Sequence, residues 1–329
     1  MITPSTTGGC VFIEASADEA GIAQVRKRLG SRLMAELRRF DHKYRLGKAM
    51  GRLGEVVSRF SVAASVAGAR IEVSQQPASS GDIGIDVEEL VEQIATTLAK
   101  KNATLALFID EMQELDRDLL GALLATQHQA AQNGWPFYLF GAGLPNLPAV
   151  LSESRSYAER QFEFHDIGAL TASDAANAIA VPITRLGGRP DPEAVDYLVH
   201  AAAGYPYFLQ EYGKALWNNA RDSHMTLDDA RLAFDAGREE LDQGFFPARW
   251  DRTTPAERRY LAAIAATGDT APRARSVAEH ACTTSAALSP ARDSLIKKGL
   301  VWAPEHGRIA FTVPLMDEFI RRQPEFRRS

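Results

Sequence analysis

Apolar positions change their spacing several times along this chain, and each change marks a different element. Residues 10–14 (CVFIE) form a short apolar run between Gly8-Gly9 and a polar ASADEAG stretch, which predicts a buried strand and then a turn. From Ile22 the period lengthens: Ile22, Val25, Leu29, Leu33, Leu37 and Phe40 recur at steps of three and four, so an amphipathic helix is expected over 22–40 in spite of Gly30. Residues 61–74 (SVAASVAGARIEVS) alternate around a central glycine as a hairpin would, and 77–84 read as a loop. Val87, Leu90, Val91, Ile94 and Leu98 return to helical spacing over 86–100, with Asp86 as N-cap and Lys100-Lys101 at the favourable end of the dipole. Residues 105–110 (LALFID) show no polar alternation and predict a strand buried on both faces. A helix over 115–132 and a second continuous apolar strand, 136–140 (PFYLF), complete a strand, helix, strand order that implies a parallel sheet with right-handed crossovers.

After Gly168 the pattern is wholly helical. Thr171 opens a helix that buries Ala175, Ala178 and Ile179, and further helices are expected at 192–203, 207–220 and 226–236, making a small bundle. A last unit begins near Arg252, with helices at 255–266, 274–281 and 289–298. It ends in GLVWAPEHGRIAFTV, two short strands joined by Glu305-His306-Gly307. Three helices and a hairpin form the winged-helix arrangement.

Composition adds little to this picture, whereas charge and cysteine placement narrow it. The 329 residues are 45% apolar and 24% charged, an ordinary globular balance with room for two or three domains. No run of eighteen apolar residues and no secretion-type start is present, so a soluble, cytoplasmic protein with no membrane partner is expected. Cys10 and Cys282 lack metal-ligand or disulfide spacing and read as packing residues. The net charge of −5 is uneven: residues 246–329 hold 14 Lys/Arg against 9 Asp/Glu, which makes the C-terminal part the better candidate for meeting an anion such as DNA. A second basic stretch, 21–60, reads as a solvated helix face before it reads as a nucleic-acid contact.

The sharpest chemical feature is LALFIDEMQEL, 105–115. An apolar strand running into Asp110 and Glu111 places two carboxylates at the carboxyl end of a parallel strand, where open α/β sheets bind ligands. In phosphoryl transfer such a pair divides the work, one holding Mg²⁺ and the other polarising the attacking water. A buried strand that merely ends in two acids is the plainer reading of the motif alone. Its neighbours are FGAGLPNLP (140–148), SYAERQFEF (156–164), AGYPYFLQEYG (203–213) and LIKKGLVWAPEHGRIAFTVP (295–314). With them, the chain resembles the AAA+ P-loop ATPases of bacteria and archaea related to the replication-initiator and STAND groups, over nearly all of its length.

The resemblance implies an incomplete AAA+ P-loop parallel-sheet core over 1–167, a helical lid over 168–245 and a winged-helix domain over 246–329. It implies ATP and Mg²⁺ as cofactors, with Asp110 on the metal and Glu111 activating water. Asn146 corresponds to the polar sensor of the γ-phosphate, although GAGLPN reads equally well as a tight turn. Arg160 stands where the family presents an arginine finger to a neighbouring subunit, which implies self-association; Arg155 competes for that role, and an ion pair at a helix end is the plainer alternative. Tyr205 and Pro206 would border the adenine, or else pack at a helix start. The usual lid arginine is not evident. A phosphate-binding loop, G-x-x-x-x-G-K-[ST], is absent from the sequence: Gly47-Lys48 is followed by Ala49 and has His42 where the first glycine belongs. The chain thus reads as starting about one strand, loop and helix late, with weak or absent ATP binding and an exposed sheet edge as the consequences.

In the winged helix, the third helix would enter the major groove of double-stranded DNA with Arg292, Ser294, Lys297 and Lys298, and Arg308 would add a wing contact. Two functions follow: an ATP-dependent switch acting on DNA, or a non-catalytic module that binds DNA or protein on an ATPase-derived scaffold.

Overall fold

The computed structural model describes residues 8–16, 19–40, 83–323 and 326. The hairpin expected at 61–74 and most of the loop at 77–84 lie outside them. The chain divides into two compact units, the first ending at Phe164 and the second beginning at His165.

In the first unit, β1 (Gly8–Glu14), β2 (Thr104–Asp110) and β3 (Phe137–Gly141) form a parallel sheet in the order β1-β2-β3. Phe12 pairs with Phe108 and Glu14 with Asp110 across the first ladder, and Phe108 pairs with Phe140 across the second. Most of the core against it comes from α1 (Glu19–Phe40), α2 (Ile83–Ala99) and α3 (Arg117–Asn133). Val25, Leu29 and Leu33 of α1, with Leu90, Ile94 and Leu98 of α2, bury against Val11, Ile13, Leu105, Leu107 and Ile109. Asp116 caps α3 by accepting the Leu119 N–H at 3.0 Å and also pairs with Arg26, which ties α3 to α1.

LALFID is not buried on both faces. Burial alternates along β2, and Phe12, Phe108, Tyr138 and Phe140 stay out of the core cluster. The described helices cover one face only. The sequence hid this because the open face is also apolar, so no polar alternation marks it. The cysteine expectation also fails: Cys10, on the open face, and Cys282 are both exposed free thiols.

The second unit contains α5 (Ala172–Arg185), α6 (Pro192–Ala202), α7 (Pro206–Asn219) and α8 (Leu227–Glu240); α4 (Leu147–Ser154) belongs to the first unit. After α8 comes one π turn (Leu241–Phe245), then α9 (Phe246–Trp250), α10 (Pro255–Thr267), α11 (Ala274–His280) and α12 (Ser285–Lys297). The unit closes with a two-stranded antiparallel ribbon, Val301–Trp302 against Ala310–Phe311, and α13 (Met316–Arg322). Thr171 caps α5, and α12 starts four residues earlier than expected because Thr284 caps it and Pro290 is accommodated in its first turns. Residues 245 and 246 sit inside a continuous helical run, and one apolar cluster joins Ala175 through Ile320. Phe246 stacks on Phe319 at 5.2 Å, and Arg322 donates to both Asp242 oxygens at 2.7 and 2.8 Å. No described helix is long and apolar enough to cross a membrane.

Candidate functional site

The carboxyl ends of the three strands form the rim that carries the first unit's chemistry. Asp110 closes β2, and Glu111 follows it in the left-handed region at φ 51°, a conformation that costs a non-glycine residue about 1 kcal/mol. The turn is held by Asp110 Oδ1, which accepts the Glu111 N–H at 3.0 Å. Gln113 steadies the second carboxylate by donating to Glu111 Oε2 at 2.6 Å, and its own Oε1 accepts the Leu144 N–H at 3.2 Å. The Met112 N–H reaches the Ala142 carbonyl at 2.9 Å, so the acidic turn and the loop after β3 form one connected rim. Both carboxylates are exposed.

Asn146 occupies the N-cap position of α4 without a capping hydrogen bond, and its Oδ1 is buried with no partner among the described residues. An orphaned amide oxygen at the end of this rim is the type of group expected to meet a ligand or water. Arg160 lies in a 3₁₀ turn (Ala158–Gln161), exposed, with no ion pair among the described residues. Arg155 instead lies alongside Gly121 of α3.

The open sheet face meets this rim in a cleft of about 460 Å³ lined by Phe12, Glu14, Arg28, Arg32, Phe108, Asp110 and Phe140 among others. Phe12, Phe108 and Phe140 stack in a ladder, with centroids 4.7 and 4.8 Å apart and planes within 12°. Phe12 is 58% exposed. Sequence reasoning found Asp110 but missed Glu14, the phenylalanines and the two arginines. One signal was available: FIE at 12–14 and FID at 108–110 place phenylalanine and a carboxylate at matching positions of two strands that pair in register.

In the second unit, Tyr205 is the N-cap residue of α7 and Pro206 its first residue. Tyr205, Tyr207, Phe245, Leu241, Lys214 and Arg249 line a separate cavity of about 590 Å³ at the π turn. Arg249 sits 3.6 Å over the Phe245 ring, and burial lowers its pKa from the usual arginine value. The residues expected at DNA are partly engaged within the protein. Lys298 Nζ donates to both Glu257 oxygens at 2.9 and 2.7 Å, and Ser294 Oγ donates to Glu257 Oε1 at 2.6 Å. Arg308 donates to the Ala271 carbonyl at 2.7 Å, Arg292 lies 3.6 Å from Asp293, and Lys297 forms no ion pair among the described residues.

A family model described as a domain of unknown function (DUF8462) matches residues 243–320. No curated protein matches. Among solved structures, the Walker-type ATPase paby2304 of Pyrococcus abyssi is similar at a TM-score of 0.53 and 12% identity, over 95% of this chain and 91% of that one. Cdc6p from Pyrobaculum aerophilum is similar at 0.42 and 13%, over 96% and 80%, and the Thermotoga maritima RuvB Holliday junction branch migration motor at 0.40 and 16%, over 68% and 71%. The first of these likenesses shows the fold, an ATPase-like α/β sheet with many helices, and at these identities the fold alone.

Proposed function

We propose that this chain is an AAA+-type ATPase-like protein, a nucleotide-responsive switch whose C-terminal helices meet double-stranded DNA. The observation that carries the reading is the position of Asp110 and Glu111: adjacent exposed carboxylates at the carboxyl rim of a parallel sheet, joined through Gln113 to the loop that ends at the orphaned Asn146 oxygen. That donor set suits Mg²⁺, which takes one or two carboxylates and completes its shell with water and phosphate oxygens. Bound there, Mg²⁺ would supply charge neutralisation at the phosphates. The residues do not suit ATP held in the usual way, because the sequence offers no glycine-lysine loop whose backbone N–H groups cradle phosphates. No hydrolytic step is therefore assigned to the chain alone. Titration with ATP is expected to show weak saturable binding that added Mg²⁺ strengthens in the wild type but not in Asp110→Ala, and a Mg²⁺ response that survives that change would defeat the reading.

The C-terminal geometry of α10 to α12 followed by an antiparallel ribbon supports a winged-helix module, and Arg160, exposed and without an ion pair among the described residues, supports contact with a second copy. For DNA, Lys297 and Arg292 are the third-helix cations that Glu257 does not hold. Replacing both with alanine is expected to weaken binding to duplex DNA and to flatten its dependence on log salt by about one to two. An unchanged salt slope argues instead for the second reading, a non-catalytic module that binds protein. The engagement of Lys298 and Ser294 by Glu257 favours that alternative, since a helix whose polar groups are turned inward has fewer left to read bases.

A further inference from the structure

The cleft on the open sheet face combines three features that the carboxylate pair alone does not explain. The phenylalanine ladder runs across the three strands at the strand spacing itself, so the rings stack like plates, and Phe12 at one end of the stack is exposed. Arg28 and Arg32 lie one helical turn apart on α1 and line the same cleft. Among the described residues Arg28 has only Gln24 Oε1 at 3.3 Å as a hydrogen-bond partner, and Arg32 has no hydrogen bond or ion pair. Glu14 and Asp110 line the cleft too, yet neither guanidinium is ion-paired to either carboxylate. If the arginines served to neutralise those acids, contacts within 4 Å would be present. Instead two cations and two anions face one space of about 460 Å³, a size ordinary for small-ligand clefts of roughly 300–1,000 Å³.

We infer that this cleft takes a discrete nucleoside phosphate without a glycine-lysine loop: the base extends the Phe12–Phe108–Phe140 stack, and Arg28 and Arg32 receive the phosphates. Guanidinium groups bind phosphate through paired, charge-assisted hydrogen bonds, and stacking on aromatic rings tolerates any base. Glu14 and Asp110 set two negative charges against the two guanidinium groups of the cleft, a balance that suits the few phosphates of a single nucleotide better than the many of a strand. The inference rests on the nucleotide-responsive reading above, but it assigns the phosphates to arginines of α1, so metal is not needed for binding.

The test uses the full chain and a fluorescent N-methylanthraniloyl ADP, with EDTA in place of magnesium. Saturable metal-free binding is expected in the wild type, weakened about tenfold or more in Arg28→Gln plus Arg32→Gln and weakened in Phe108→Ala. It should be unchanged in Lys27→Gln, a charge change on the same helix outside the cleft; circular dichroism spectra that match the wild type exclude unfolding. Binding that requires magnesium, is lost in Asp110→Ala and ignores the arginine pair overturns this inference and leaves the nucleotide-responsive reading standing. No nucleotide binding with or without metal overturns both, and capture of an oligothymidylate that ADP does not displace overturns the assignment to a single nucleotide.

Discussion

Glu257→Ala is expected to lower the unfolding free energy of the second unit by about 2–4 kcal/mol. Glu257 is 3% exposed and belongs to α10, where it completes a capping box: Thr254 Oγ1 accepts the Glu257 N–H, and Glu257 Oε2 accepts the Thr254 N–H at 2.6 Å. The same carboxylate accepts Ser294 Oγ and Lys298 Nζ from α12. One side chain therefore satisfies a helix start and joins two helices, and alanine leaves both a lost cap and a part-buried ammonium without its anion. Burial by itself would raise the carboxyl pKa, but the hydrogen bonds from Lys298, Ser294 and the Thr254 backbone outweigh it and hold the group at about 2, below its ordinary 4.5. Because the folded value is depressed, the contribution is fully present above about pH 4.5 and is lost as pH falls toward 2. Urea denaturation at pH 7 and at pH 3 should show the wild type losing stability between them more steeply than Glu257→Gln, which cannot titrate. Parallel pH profiles for the two proteins would refute the assignment.

Gly204→Val should destabilise the same unit by about 3 kcal/mol or more, and Gly204→Ala by less. α6 ends in two successive left-handed residues, Ala203 at φ 50° and Gly204 at φ 70°, before Tyr205 and Pro206 start α7. A Cβ at position 204 would lie 2.8 Å from the Leu170 carbonyl oxygen, a backbone atom that cannot rotate away. The Gly204 carbonyl also accepts the Leu170 N–H at 2.9 Å, so retreat of the loop would break that bond. A valine variant whose melting stays within about 0.5 kcal/mol of the wild type would show that the turn relaxes more easily than its geometry implies.

Helix positions were legible because period and capping chemistry are local. α5 starts after Thr171, α7 starts at Pro206 and α10 starts after Thr254, each set by a side chain or ring within three residues of the boundary. The parallel order of the strands and the placement of Asp110 at their carboxyl ends were likewise readable, since an apolar run ending in an acid and followed by a crossover helix admits few arrangements.

The faces of the sheet were not readable. CVFIE and LALFID show which residues are apolar but not which apolar side chains meet a helix, and phenylalanine on an open face has the same letter as phenylalanine in a core. Cys10 has the pattern of a packing residue for the same reason and is exposed on that face. The partners of Lys298 and Ser294 were equally hidden, because Glu257 lies some forty residues earlier and reaches them only once α10 packs on α12. The sequence by itself thus determined the three core strands, most of the longer helices, their order and the acidic turn at 110–111, all consequences of short-range periodicity and backbone preference. Only the tertiary structure decided which phenylalanines stack, which arginines stand beside Asp110 and which lysine is already paired. Those depend on contacts between residues far apart in the chain, and local pattern carries no record of them.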